Sequence, residues 1–277
     1  MNYYQFSFDV IEADEKDLLI ARLADAGFEG FEEEGTLLKA FVSEADFREN
    51  EFESIIEQNS LKYLKSVIQE TNWNAKWESG FEPVSVFYPG SSQPFARLRA
   101  AFHPADQSAE YDLLITPKMS FGTGHHATTY LMIEQMSQLS LEGKMVIDFG
   151  TGTGVLAILA EKLGAGKVLA IDYDDWSINN AQENVEANQC KKIVLLKADT
   201  IPSGNKADMI LANINLNIIL ANLDAIKAAA NPGADILFSG ILAQDEETII
   251  QALNQHGFRI NSILKKDNWL AIVTTIG

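Results

Sequence analysis

The stretch of sequence that decides the fold is Val146-Ile147-Asp148-Phe149-Gly150-Thr151-Gly152-Thr153-Gly154-Val155-Leu156-Ala157. An apolar run that ends in an acid is followed by three glycines at alternate positions and by a second apolar run with helical spacing. This order predicts a strand, a tight turn and a helix. Because glycine has no side chain, the turn can bend sharply and a ligand can approach its backbone closely. The stretch therefore predicts a binding site for a small molecule.

The glycine spacing and the acid before it indicate which small molecule binds. Turns that bind dinucleotides have the pattern G-x-G-x-x-G and hold a pyrophosphate at the helix N-terminus. This turn has the pattern G-x-G-x-G instead. Asp148, at the end of the strand, would repel a pyrophosphate and attract a cationic amine or sulfonium. We therefore expect the cofactor to be S-adenosyl-L-methionine, with S-adenosyl-L-homocysteine as its product, rather than NAD.

The composition is that of an acidic globular protein. Its 277 residues, 47% of them apolar, are enough for one large α/β domain and a smaller one. There are 21 Lys and Arg residues against 39 Asp and Glu residues, so the net charge is −18. Nucleic-acid binders usually have a basic face, whereas an acidic surface attracts basic partners. We expect no direct recognition of nucleic acid.

Cysteine and histidine positions argue against disulfides and metal sites. The single cysteine, Cys190, excludes an intramolecular disulfide and a multi-cysteine metal site. His125 and His126 are adjacent, so they lack the i, i+4 spacing with which two histidines bind one ion on a helix. The N-terminus does not resemble a signal peptide, and no apolar run approaches the roughly 20 residues that span a bilayer. We expect a cytoplasmic monomer without metal or membrane contact.

Hydrophobic periodicity divides the chain into two domains. Residues 1–70 have the order strand-helix-strand-strand-helix-strand, which is typical of a small ferredoxin-like α+β domain. Residues 71–83 place three aromatic side chains at helical spacing and predict a helical interdomain linker. In residues 84–277, strands alternate with helices, which predicts an α/β fold with a Rossmann-like, doubly wound sheet.

Seven strands are predicted for the main sheet, at 145–149, 167–172, 193–197, 207–212, 234–239, 257–265 and 269–275. The first five alternate with helices and are therefore expected to be parallel. The last two follow each other directly, which predicts an antiparallel hairpin at the edge of the sheet.

Acids follow the second and third of these strands. Ligands of open parallel sheets bind across the carboxyl ends of the strands. Asp172 ends the strand at 167–172, and we expect it to accept both hydroxyls of an adenosine ribose, a signal that NAD enzymes share. Asp199 follows the next strand, and the same geometry would bring it to the adenine amino group. A turn-forming role is the alternative for Asp199.

Asn213 follows the fourth strand, beside the glycine turn, where the transfer chemistry is expected. Its amide oxygen can accept a hydrogen bond from a target amine. The alternative is that Asn213 caps the following helix, although Asn215 suits that role better. Methyl transfer from a sulfonium requires an in-line approach by a neutral amine, so the sequence does not imply an obligatory general base.

The loop at 116–125 has the composition of a flap over a ligand. Its stretch Phe121-Gly122-Thr123-Gly124 contains two glycines and a hydroxyl, and hydroxyls of Thr128 and Thr129 follow near the start of the next helix.

With these pieces placed, the chain resembles the bacterial ribosomal-protein-L-eleven methyltransferases, the PrmA family of class I S-adenosylmethionine-dependent methyltransferases. The shared stretches are Phe121 to Thr129, Val146 to Gly154, Ala170-Ile171-Asp172, Ala212-Asn213-Ile214 and Ser239-Gly240-Ile241-Leu242. The flap combined with the glycine turn is much more specific than either motif alone, and the similarity extends over most of the chain.

The resemblance implies an N-terminal domain that recognises the ribosomal protein and a C-terminal domain that methylates its lysine ε-amines and N-terminal α-amine. It also implies that Asn213 lies beside the amine as the catalytic residue. Motif by motif, it implies cofactor contacts at Thr129, Gly150, Asp172 and Asn213. With the residues chosen from the pattern, the predicted cofactor site comprises Phe121, Gly122, Thr123, Thr128, Thr129, Asp148, Gly150, Gly152, Gly154, Asp172, Asp199 and Asn213.

Other functions share parts of this pattern. A nucleic-acid adenine methyltransferase would carry Asn-Pro-Pro and an aromatic ring that stacks on the flipped base, whereas Ile214, Asn215 and Leu216 offer no ring. A methyltransferase that acts on another protein or on a small molecule remains open. So does a non-enzymatic module that keeps only the cofactor pocket.

Overall fold

The computed structural model describes residues 3–9, 13–34, 37–59, 61–68, 82–105, 108–116, 122 and 124–276. The chain forms two compact units, Met1–Gly80 and Phe81–Gly277. Residues 71–81 of the predicted linker lie outside the described residues. Within the described ranges, none of the helices has the length and apolar character that crossing a bilayer requires.

The N-terminal unit contains a four-stranded antiparallel sheet with two helices. Its elements are β1 (Tyr3–Asp9), α1 (Ala13–Asp25), β2 (Gly30–Glu34), β3 (Leu37–Ser43), α2 (Glu49–Asn59) and β4 (Tyr63–Ile68). The strand order is β2-β3-β1-β4, with each neighbouring pair antiparallel. Alternate side chains of β1, Phe6 and Phe8, are fully buried and pack with Phe52 of α2. The predicted ferredoxin-like fold is confirmed.

The second unit begins with a small sheet of β5 (Val84–Phe87), β6 (Pro94–Arg99) and β7 (Tyr111–Leu114). The pair β5 and β6 is antiparallel, and β6 and β7 are parallel. The Arg99 guanidinium joins the two parallel strands because its Nη2 donates to Asp112 Oδ2 at 2.7 Å. This sheet precedes the predicted flap.

The main sheet has seven strands and helices on both faces. Its elements are α3 (Ala127–Met136), β8 (Met145–Phe149), α4 (Val155–Lys162), β9 (Lys167–Asp172), α5 (Asp175–Ala187), β10 (Ile193–Lys197), β11 (Ala207–Asn213), α6 (Leu216–Ala229), β12 (Ala230–Leu242), α7 (Glu246–Gln255), β13 (Phe258–Lys266) and β14 (Trp269–Ile276). The strand order is β10-β9-β8-β11-β12-β14-β13. The first five are parallel, whereas β14 is antiparallel to both β12 and β13.

Two apolar clusters form the core on the two faces of this sheet. One contains buried side chains of α3, α4 and α5, and the other contains those of α6 and α7. The central strand β8 is buried on both faces, as expected for a parallel strand covered by helices. The Rossmann-like sheet predicted from the sequence is confirmed.

The predicted strand at 234–239 is too short. The strand β12 runs over Ala230–Leu242, because its C-terminal half continues to pair with β14 as far as the couple of Leu242 and Trp269. The hairpin strand β14 lies between β12 and β13, and β13 forms the edge of the sheet.

Candidate cofactor and active site

The glycine turn between β8 and α4 has the left-handed backbone that its sequence predicts. The φ angles of Gly150, Gly152 and Gly154 are 79°, 53° and 80°. The Gly150 N–H donates to the Ile171 carbonyl at 2.8 Å, which fixes the turn against β9. A Cβ atom at Gly150 would lie 2.1 Å from Ile214 Cγ2, so a side chain there would collide with the segment after β11.

Neighbouring segments hold the turn in place. The Thr153 hydroxyl donates to the Gly122 carbonyl at 2.9 Å, so this residue of the predicted flap lies directly against the turn. On the other side, Asn184 Nδ2 of α5 donates to the Thr153 carbonyl at 2.8 Å. Phe121 and Thr123, two further predicted cofactor contacts, lie outside the described residues.

Asp148 lies beneath the turn and is fully buried. Its Oδ2 accepts hydrogen bonds from the Thr151 hydroxyl at 2.6 Å and from the Ala157 N–H at 3.2 Å. Its Oδ1 has no hydrogen-bond partner among the described residues. Burial raises the pKa of Asp148 to about 7, although these hydrogen bonds lower it. The carboxyl group thus ties the turn to the start of α4 and carries an unsatisfied acceptor.

Asp172 ends β9 and is held rigidly by the backbone. Its Oδ2 accepts from the Gly152 N–H at 2.9 Å, and its Oδ1 accepts from the Asp174 N–H at 3.1 Å. Each carboxylate oxygen has two lone pairs, so each keeps one acceptor site. Asp174 in turn caps α5 through a hydrogen bond from the Ser177 N–H. The carboxylate of Asp172 is therefore oriented before any ligand arrives.

Asn213 ends β11 and is buried with its amide oxygen unsatisfied. Its Nδ2 donates to Thr129 Oγ1 at 3.4 Å, while its Oδ1 has no partner within the described part of the chain. A buried carbonyl without a partner is costly, which marks it as an acceptor for a ligand. Asn215, rather than Asn213, caps α6, because the Asn215 side chain accepts from the Ile218 N–H at the start of this helix.

These strand ends surround a cavity of about 610 Å³, which is the size of a small-molecule site. Five of the predicted cofactor residues line it, namely Gly150, Gly152, Asp172, Asp199 and Asn213. The other five predicted residues that the structure describes do not line the cavity, namely Gly122, Thr128, Thr129, Asp148 and Gly154. The carboxyl ends of adjacent parallel strands thus bring half of the described residues of the predicted site to one cavity.

Further lining residues were not among the predicted contacts, and four of them are aromatic, namely His126, Phe149, Tyr173 and Trp269. His126 and Trp269 line the cavity, with ring centroids 4.6 Å apart in an edge-to-face arrangement. The His126 side chain caps α3 by accepting from the Thr128 N–H at 3.3 Å. Burial lowers the pKa of His126, so the imidazole is neutral at pH 7. In the sequence, His126 stands out only as one of two adjacent histidines, and no motif near Trp269 indicates that this residue lines a site.

Gly240, which also lines the cavity, allows β12 to approach the segment after β11. Its φ angle is 83°, and a Cβ atom there would lie 2.2 Å from the Ile214 carbonyl oxygen. The Ile214 N–H donates to the Ser239 carbonyl at 3.2 Å. The glycine in the motif Ser239-Gly240-Ile241-Leu242 therefore permits a backbone contact that fixes the position of Asn213.

The charge of the cavity favours cationic ligands. Asp172, Asp174 and Asp199 line it, whereas no lysine or arginine does so among the described residues. A concave site lined by one sign of charge concentrates ligands of the opposite sign.

Comparisons with known proteins agree in naming one family. The family model described as "Ribosomal protein L11 methyltransferase (PrmA)" matches residues 14–276. A ribosomal protein L11 methyltransferase of Porphyromonas gingivalis is 35% identical, over 98% of this chain and 97% of the relative. One from Chlorobaculum tepidum is 36% identical, over 98% of this chain and 95% of the relative.

A solved structure gives the same result for the fold. The ribosomal protein L11 methylase of Lactobacillus delbrueckii subsp. bulgaricus superposes with a TM-score of 0.59 at 31% sequence identity. The match covers 66% of this chain and 95% of that chain. The resemblance inferred from the motifs is confirmed, and the chain belongs to the ribosomal protein L11 methyltransferase (PrmA) family.

Proposed function

We propose that the protein transfers methyl groups from S-adenosylmethionine to the lysine ε-amines and the N-terminal α-amine of ribosomal protein L11. The observation that carries this proposal is the buried, unpartnered amide oxygen of Asn213 in an acidic cavity beside the glycine turn. Membership of the PrmA family and the names of the relatives support L11 as the substrate.

The residues around the cavity fit this cofactor. Gly150 and Gly152 leave the backbone of the turn accessible, and Asp172 offers one acceptor site on each oxygen to the two ribose hydroxyls. Asp199, which also lines the cavity, would accept from the adenine amino group, and the acidic lining suits a cationic ligand. When bound, S-adenosylmethionine supplies a methyl group that its sulfonium charge has already activated.

The protein's own task is to bring a neutral amine to the site and orient it. Asn213 Oδ1 accepts a hydrogen bond from the amine, and the contact with Thr129 holds the Asn213 amide in place. The acidic lining attracts the lysine side chain, and burial then disfavours its charged form, so the proton is lost to solvent. Neutral His126 adds no positive charge that would repel the incoming ammonium group.

We further propose that the ferredoxin-like unit recognises L11, as the predicted domain of residues 1–70, while residues 84–277 carry the methyltransferase site. The N-terminal unit has its own aromatic core around Phe6 and Phe52, and all of the described residues that line the cavity belong to the second unit. The net charge of −18 suits a basic protein partner.

The test is methyl transfer from labelled S-adenosylmethionine to purified L11, measured with the full chain and with a fragment of residues 81–277. We expect label in L11 with the full chain only, whereas calorimetry should give both proteins the same affinity for the cofactor. A thermal melt checks that the fragment is folded. Label in RNA or metabolites without label in L11 would reject the substrate, and equal transfer by the fragment would reject the recognition role.

Replacing Asp172 with Ala should weaken binding of S-adenosylmethionine by on the order of 1–3 kcal/mol, because charged hydrogen bonds to the ribose are lost. Isothermal titration calorimetry measures the change. Asp175→Ala is the matched control, because this neighbouring acid is exposed, pairs with Lys197 and does not line the cavity. If Asp172→Ala and Asp175→Ala bind the cofactor with wild-type affinity, the assigned role of Asp172 is wrong.

A further inference from the structure

Three exposed apolar side chains either line the cavity or belong to a residue next to one that lines it. Tyr173 is 74% exposed, Trp176 is 79% exposed, and Ile218 is 42% exposed. Tyr173 and Ile218 line the cavity, as does Ser177, the residue after Trp176. Within the described part of the chain, neither Tyr173 nor Trp176 packs against another aromatic ring. We call the side chains of Tyr173, Trp176 and Ile218 the aromatic rim.

The aromatic rim has no evident role in folding. Large apolar side chains that cluster on a surface mark a binding site more often than isolated ones do. Trp176 lies in the first turn of α5 but does not line the cavity, so a ligand confined to the cavity leaves its ring uncovered. The Trp176 ring is therefore available to bind a partner that extends beyond the cavity.

The charges beside the aromatic rim identify the chemistry of that partner. Asp174 lies at the same cavity, and the chain as a whole carries a net charge of −18. The neighbouring pair of Asp175 and Lys197 contributes no net charge. Aromatic faces attract ammonium and guanidinium groups, and they also pack against the apolar stems of lysine and arginine. The combination fits a basic polypeptide segment.

We propose that the aromatic rim, together with Asp174, docks the lysine-bearing segment of the protein substrate that surrounds the target amine. This inference rests on the proposed function, and it gives the mouth of the same site a role in binding the substrate. Charge complementarity selects this occupant over a second copy of the chain, since two acidic rims would repel each other. The same repulsion disfavours the phosphate backbone of a nucleic acid.

The test replaces Trp176 with Ala and measures binding and transfer with L11. We expect the Kd for L11, measured without turnover, and the KM for L11 to rise about fivefold to tenfold. The kcat and the Kd for S-adenosylmethionine should stay within about twofold, because Trp176 lies outside the cavity. The conservative variant Trp176→Phe should recover most of the affinity for L11, since a phenyl ring keeps the aromatic face.

The matched control is Val194→Ala. Val194 is 48% exposed on β10 and does not line the cavity, so its loss removes a similar exposed apolar group elsewhere on the same unit. We expect no change in KM or Kd for L11. Raising the salt concentration from about 50 mM to about 300 mM should weaken L11 binding by the wild type, because it screens the acids.

The outcomes separate this inference from the proposed function. An active wild type with unchanged Kd and KM in Trp176→Ala would overturn the docking role while leaving the methyltransferase function intact. A Val194→Ala variant that loses as much affinity for L11 would also overturn it. A wild type that transfers no methyl group to L11 would reject the proposed function itself, and the inference would fall with it.

Discussion

Replacing Gly240 with Ala is expected to lower the free energy of unfolding by about 3 kcal/mol or more, because the added Cβ collides with backbone. That atom would lie 2.2 Å from the Ile214 carbonyl oxygen and 2.7 Å from the carbonyl carbon. Backbone atoms cannot rotate away as a side-chain end can, so β12 and the segment after β11 must separate. Since that segment follows Asn213, we also expect weaker cofactor binding.

The control for this substitution is Gly233→Ala, in the same strand. Gly233 has a φ angle of 76°, close to that of Gly240, but a Cβ atom there meets nothing within 4 Å. Its expected cost is the left-handed conformation alone, about 1 kcal/mol. Chemical denaturation of the two variants measures the difference. Equal losses of stability would show that the contact between Gly240 and Ile214 is not close.

Replacing Asp148 with Asn is expected to stabilise the apo protein at neutral and higher pH, by up to about 4 kcal/mol for a shift of roughly three pKa units. The fold raises the pKa of this carboxyl from 3.8 to about 7, mainly through burial. Between those values the folded protein binds more protons than the unfolded chain. Stability therefore falls as pH rises from about 4 to about 7, and the cost remains in full above that range.

The measurement is the free energy of unfolding against pH for the wild type and for Asp148→Asn. In the variant, the free energy of unfolding should decline less between about pH 4 and pH 7, because this carboxyl group no longer contributes. Asp208→Asn is the control of opposite sign, because hydrogen bonds from Asn231 and the Met145 N–H lower the pKa of Asp208. That variant should lose stability at neutral pH. If the free energy of unfolding varies with pH in the same way in the wild type and in Asp148→Asn, Asp148 is not a buried carboxyl group with a raised pKa.

Parallel-sheet geometry explains why much of the site could be predicted from the sequence. A residue that directly follows a parallel strand lies at the carboxyl edge of the sheet, so position in the sequence translates into position in space. Asp172 and Asn213 end such strands, Asp199 comes two residues after one, and all three line one cavity. The alternate glycines likewise fix the turn, because three left-handed residues in five positions require that residue type.

The remaining wall of the cavity depends on tertiary contacts that no local pattern records. Trp269 reaches the site because β14 inserts antiparallel between β12 and β13, which brings the start of β14 to the same edge of the sheet. His126 lies before α3 and contacts Trp269 across about 140 residues of chain. Gly240 is explained only by the approach of Ile214. Asp148, predicted from its position, lies beneath the turn and outside the cavity lining.

Mass spectrometry can detect methyl transfer from this site to the amines of L11. Purified L11 is incubated with the protein and S-adenosylmethionine that carries a deuterated methyl group, and the labelled peptides are then sequenced. We expect deuterated methyl groups on lysine ε-amines and on the N-terminal α-amine of L11. An L11 without label, under conditions in which calorimetry detects cofactor binding, would contradict this expectation.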